Sequence, residues 1–175
     1  TSAVITDIDN DTWLDIIVVG EWMPIKVFKN NKTHFKEVSS QMGLNKDNST
    51  GWWWSIKAGD FDNDGDEDFI VGNNGLNYKY KATQDETFDI YVKDFDNNNS
   101  EDIVLSYYSE GKQVPLRGRS CSSQQIPAIK SKFKDYNSFS KATLVDVYTE
   151  EELEQSLHYQ VKSFASIDLE KKDGD

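Results

Sequence analysis

The chain has 175 residues, enough for a sizeable core, and its 13% aromatic content (five Trp, eight Tyr, nine Phe) suits β structure and excludes disorder. A formal net charge of −12 excludes generic nucleic-acid binding through phosphates. The lone Cys121 excludes an internal disulfide and a thiolate metal site, and no stretch is long and apolar enough to span a membrane as a helix.

In chain order, residues 2–6 are a short β-prone run that leads into an acidic loop. Residues 14–20 follow, rich in β-branched side chains and closed by Gly20, which is a strand signal. Residues 25–29 alternate apolar and polar as a half-buried strand does, Asn30-Asn31 marks a turn, and residues 34–38 read as a fourth short strand. Four antiparallel strands in sequence make a meander, the form of a propeller blade. Residues 39–51 read as a connecting loop. Residues 51–59 enter a second acidic loop as a strand and 69–73 leave it; 88–93 and 103–108 do the same around a third. A repeating unit of variable length fits blades with loop insertions.

After Gly111 the alternation fades. Ile126, Ile129 and Phe133 fall on one helical face, and Thr149 is an N-cap candidate before the acidic first turn Glu150-Glu151-Glu152. Residues 163–170 resume β character and are expected to complete the third blade. The fold class expected is therefore all-β: a partial β-propeller of about three four-stranded blade units with a helical insertion in the third. The expected divisions are blades over 1–118, the helical insertion over 119–158 and a truncated returning strand of the third blade over 159–175. The chain opens mid-strand and closes on Lys171-Lys172-Asp173-Gly174-Asp175, a turn cut short, so a longer parent protein is expected.

The three acidic loops share one grammar. The central one, Asp60-Phe61-Asp62-Asn63-Asp64-Gly65-Asp66-Glu67-Asp68, has acidic residues at positions 1, 3, 5, 7 and 9 and glycine at 6. Calcium takes six to eight oxygens, which alternate carboxylates on a curled loop supply. An EF-hand would need a bidentate Glu at position 12 between helices, but Val18, Val71 and Leu105 stand there and the flanks are strand-like. The better reading is a calcium loop within a β-hairpin, with side chains of positions 1, 3, 5 and 9 and the carbonyl of 7 as ligands. That assigns Asp7, Asp9, Asp11 and Asp15 with Trp13; Asp60, Asp62, Asp64 and Asp68 with Asp66; and Asp94, Asp96, Asn98 and Asp102 with Ser100.

Up to three Ca2+ ions are thus expected, and they would halve the net charge. Magnesium fits less well, because it tolerates poorly a cage of many protein oxygens. The central loop, with its full set and Gly65, should bind most strongly. The first should follow, with Thr12 at the glycine position, and then the third, where Asn98 replaces an Asp.

The run from Ala58 through Asp68 to Asn73 resembles the FG-GAP/VCBS repeat of integrin-like calcium-binding β-propellers. Residues 35–44 before it are similar to ASPIC/UnbV-like repeat proteins of Bacteroidetes, as are Pro115-Leu116-Arg117-Gly118-Arg119, Gln125-Ile126-Pro127, Lys132-Phe133-Lys134-Asp135-Tyr136 and Ala142-Thr143-Leu144. The resemblance implies seven-bladed propellers, calcium in blade hairpins and an exported, cell-surface or outer-membrane setting. About three units fall short of a ring, so the remaining blades would come from the same longer chain or another subunit.

Other candidates have plainer readings. Trp52 and Trp54 would share one strand face and could stack a sugar; packing between blades is the simpler role. Arg117 and Arg119 could hold an anion, though surface ion pairs are expected; His34 and His158 read as isolated. No catalytic constellation is legible, so a non-enzyme is expected: a binding or scaffold surface for a protein or glycan, within an envelope complex. The alternative is a carbohydrate-active enzyme or its accessory domain, which would show a pocket holding two carboxylates outside the three loops.

Overall fold

Every acidic loop forms the tip of an antiparallel hairpin in the computed structural model, which describes residues 1–170; the turn expected at 171–175 lies outside the described residues. β1 (Ser2–Thr6) pairs with β2 (Asp15–Val19) from Ser2↔Val19 to Thr6↔Asp15. Alternation along β2 buries Asp15, Ile17 and Val19 on one face. β3 (Glu21–Met23) leaves this sheet, and β4 (Lys26–Asn30) and β5 (Phe35–Glu37) complete the order β1-β2-β4-β5. The four strands expected at the start are therefore present, with β3 as an excursion between the second and third.

The connecting stretch holds a 3₁₀ turn (Ser39–Met42) and one helical turn, α1 (Lys46–Ser49), closed by a capping box between Asn45 and Asn48. The strand expected over 51–59 is two. β6 (Gly51–Trp52) pairs with β3, and β7 (Ser55–Gly59) pairs with β8 (Asp68–Gly72). Between them the chain changes partners: Trp53 N–H donates to Gly20 at 3.3 Å and Trp54 N–H to Gly72 at 2.8 Å.

β9 (Phe88–Lys93) and β10 (Asp102–Ser109) enclose the third loop. A two-residue turn at Glu110 and Gly111, with φ of 52° and 72°, leads into β11 (Lys112–Pro115), a strand absent from the sequence reading. Five short helices follow: α2 (Arg119–Gln125), α3 (Ala128–Lys132), α4 (Tyr136–Ser140), α5 (Leu144–Val147) and α6 (Glu150–Glu154). Ile126, Ile129 and Phe133 do not share one helix. Pro127 separates α2 from α3, because it has no N–H to continue the ladder, yet all three side chains reach the same core.

The returning strand of the third sheet is β12 (Leu157–Val161), which pairs with β9 to give the order β11-β10-β9-β12. The expectation that residues 163–170 complete that blade is corrected. β13 (Ile167–Leu169) pairs with β8 in the second sheet, held there by Asn73, whose Nδ2 donates to the carbonyls of Ser163 and Ala165.

The chain divides into two compact units, one of residues 1–79 with the segment from Ser163 on, the other of Tyr80–Lys162. The first unit's core joins Ile17, Val19, Ile25 and Val27 of one sheet to Ile56, Phe69 and Val71 of another, with Trp53. The second packs Tyr91, Phe95 and Val104 against Ile126, Ile129, Phe139, Leu144, Val147 and Leu153 of the helical segment. Burying each such aliphatic or aromatic side chain contributes about 1.5–3 kcal/mol. The described residues are mostly β, in several antiparallel sheets that do not close into a barrel. None of their helices is long and apolar enough to cross a membrane.

Candidate metal centres

Position 9 anchors each loop from below. Asp15, Asp68 and Asp102 are all buried, and each accepts the backbone N–H of position 2: Ile8 at 3.1 Å, Phe61 at 3.2 Å, Phe95 at 3.0 Å. Position 1 caps the turn from the other side. Asp7 accepts the N–H groups of Asp11 (3.0 Å) and Thr12 (2.8 Å), Asp94 those of Asn98 (3.0 Å) and Asn99 (2.8 Å), and Asp60 that of Gly65 (3.2 Å). These bonds curl the loop so that side chains 1, 3 and 9 converge.

Three sets result: Asp7, Asp9 and Asp15; Asp60, Asp62 and Asp68; Asp94, Asp96 and Asp102. Within each set one carboxylate oxygen per residue lies within 4.8 Å of the others. Position 5 stands outside these carboxylate sets in the first two loops and is an asparagine in the third. Asp11, Asp64 and Asn98 instead accept the N–H of position 7, from Trp13 (2.9 Å), Asp66 (2.9 Å) and Ser100 (2.8 Å). Of the carboxylates expected at each ion, the structure thus gathers positions 1, 3 and 9.

Two residues per loop have positive φ. At position 4 these are Asn10 (58°), Asn63 (63°) and Asn97 (59°); at position 6, Thr12 (75°), Gly65 (96°) and Asn99 (66°). Asparagine and glycine enter that region at little cost, whereas a β-branched threonine does not. The asparagines at position 4 escaped the sequence reading, although their recurrence in all three copies was the available signal.

The electrostatics differ between loops. Asp62 is held above the usual carboxylate range: the Asp64 N–H lowers it, but desolvation and the charges of Asp64, Asp68 and Asp60 outweigh that bond. Asp94 lies below its ordinary value, because the N–H groups of Asn99, Asn98, Asn97 and Asp96 overcome a larger single push from burial. Asp96 Oδ1 is buried and accepts no hydrogen bond. An all-oxygen set of clustered carboxylates, one with an orphaned buried oxygen, fits a hard divalent cation such as calcium.

Residues 7–71 match the FG-GAP-like repeat family and residues 52–92 the FG-GAP repeat family. Residues 7–92 are similar to FG-GAP repeats. The third loop lies beyond both matched segments and joins the other two through its geometry. No curated protein and no solved structure matches the chain.

The remaining candidates fall elsewhere. Trp53 is core, while Trp52 packs against the tilted ring of Trp22 (centroids 5.4 Å apart) and stacks on the half-exposed Trp54 (6.2 Å). Arg119 donates to the carbonyls of Phe133, Lys130 and Lys134, and Arg117 to Gln125 Oε1, in place of the expected ion pairs. His34 is exposed beside Thr33. His158 is not isolated: its Nε2 lies 2.7 Å from Oδ1 of Asp89, a fully buried residue 69 positions away that sequence reading could not pair with it.

Proposed function

We propose that the chain is a calcium-stabilised, β-propeller-type binding module. The observation that carries this reading is the recurrence of one carboxylate cluster, positions 1, 3 and 9, at three hairpin tips. Asp7, Asp9 and Asp15 would hold one ion, Asp60, Asp62 and Asp68 a second, and Asp94, Asp96 and Asp102 a third. Bound calcium neutralises like charges, so its binding energy appears as fold stability. The sheets would be about three blades of a ring completed by more of the same chain or by another subunit. The module would be non-catalytic and would present its loops, with the exposed face of Trp54, to a protein or glycan. Its setting would be an exported or cell-surface protein, within an envelope complex of the ASPIC/UnbV-like kind.

Calorimetric melting in calcium and in chelator tests the metal reading. One site at a hundredfold excess over Kd contributes about 2.7 kcal/mol. In a domain of this size that amounts to about 5–10 °C in Tm per ion. Identical melts in the two buffers would sink it.

A second reading has one observation in its favour. A cavity of about 570 Å³ in the first unit has in its wall Asp168 and Glu170, two acidic residues outside the loops, on one strand and its end. The rest of its wall is largely apolar, with Ile8, Ile17, Val27, Leu44, Phe69 and Leu169, which suits a glycosidase poorly. Hydrolysis of an aryl glycoside by the wild type, lost in Asp168→Asn and Glu170→Gln, would establish the enzyme.

A further inference from the structure

We infer that Lys29 is a tethered counter-ion of the first acidic loop and sets that loop's calcium affinity below that of the third. The inference rests on the reading of the loops as calcium sites. Lys29 Nζ ion-pairs with Asp9 Oδ2 and lies 3.6 Å from Asp11 Oδ2. Asp9 belongs to the carboxylate cluster itself. An ammonium therefore occupies the charge environment that a divalent ion would enter.

The placement of Lys29 is built into the sheet. The next residue, Asn30, donates its N–H to Asp15 Oδ1 at 2.8 Å and its Nδ2 to the Leu14 carbonyl at 3.1 Å. Ile16 pairs with Phe28, so one step further Lys29 stands opposite Asp15, at position 9 of the loop. Backbone register, not a wandering side chain, delivers the charge.

The third loop differs at the corresponding place. At the third loop no strand among the described residues reaches that place, since β11 pairs only with Ser106–Ser109. Among the described residues no lysine or arginine is ion-paired with Asp94, Asp96 or Asp102.

Counting aspartates ranks the first loop above the third, with four against three. Lys29 cancels that difference. Two local features then favour the third loop: the orphaned Asp96 Oδ1, and Asn99 in place of Thr12 at positive φ. The order becomes central, third, first, which revises the order expected from the sequence. A unit charge a few ångströms from a divalent ion is worth about a tenfold change in affinity even in a solvated site.

Terbium, a calcium surrogate, reads the first loop selectively, because Trp13 lies within it and sensitises a bound ion. The Trp13→Phe variant assigns that signal. In the wild type the Trp13-sensitised titration should saturate last, after the ions seen by calorimetry at the other loops. Lys29→Met should tighten it about tenfold or more, and Lys29→Arg should leave it as in the wild type. The inference is overturned if the Trp13 signal saturates first, if Lys29→Met titrates as the wild type, or if Lys29→Arg tightens binding as much as Lys29→Met. Calcium uptake at two loops with an unmoved Trp13 curve removes this inference alone, whereas no uptake by any variant removes the calcium reading with it.

Discussion

At the scale of single residues, the loops are decided by which side chains tolerate positive φ. Thr12 at 75° carries a β-branched side chain where the other loops have Gly65 and Asn99. Left-handed backbone costs a non-glycine residue roughly 1–2 kcal/mol, and glycine recovers most of that after its own entropic cost. Thr12→Gly should therefore raise Tm by about 2–4 °C in chelator, which differential scanning calorimetry would register. Gly65→Ala should do the opposite. A Cβ there meets no atom within 4 Å, so its cost of about 1 kcal/mol would be backbone strain alone. The alternate aspartates were legible in the sequence because their chemistry requires that spacing. The asparagines at position 4 offer no ligand that such spacing would single out, since their part is to hold positive φ. Lys29 was invisible because its role depends on β4 running beside β2, which no local pattern states.

At the scale of elements, the attachment of β12 to β9 depends on a buried carboxyl group. Asp89 is fully buried and receives Thr87 Oγ1 at 2.7 Å as well as the His158 ring, which stacks on Tyr91 with centroids 4.1 Å apart. His158→Ala would strand that carboxylate. Leaving a buried acceptor without its partner costs about 1–3 kcal/mol, and the partial exposure of His158 places the loss near the lower end, at about 1–2 kcal/mol. Urea unfolding of the second unit should show it as a lower midpoint, and Asp89→Val in the same chain should restore part of the loss. Equal stability of wild type and His158→Ala would show that water serves Asp89 as well as the imidazole does.

The long hairpin strands at this scale were legible from β-branched runs and flanking turns. β6 and β11 were not. β6 is two residues of a Trp-rich run that changes partners, and β11 follows a Glu-Gly turn that lacks the usual Asn-Gly or Asp-Gly signal. The alternation of residues 163–170 suits a strand of the third sheet, but β12 at Leu157–Val161 already fills the edge beside β9.

At the scale of the whole molecule, 31 acidic residues face 19 basic ones, and twelve aspartates are concentrated in three tight loops. Without divalent ions these clusters repel at distances of a few ångströms, well inside the Debye length of about 10 Å at 0.1 M salt. Raising sodium chloride to about 1 M shortens that length to about 3 Å, comparable with the spacing inside a cluster. In chelator, Tm should therefore climb by several degrees across that range. In saturating calcium the same salt series should be nearly flat, because the charges are already paired. Sodium chloride also changes apolar hydration and solvent structure, but those effects act on both samples alike, so the difference between the two salt slopes isolates the loops. A chelated chain whose melt ignores salt would show that repulsion between the aspartates is not what a bound ion relieves. The stabilisation by calcium would then have to come from ordering the hairpin tips, and Asp62→Asn, which lowers charge while keeping shape, would leave the chelated melt unchanged.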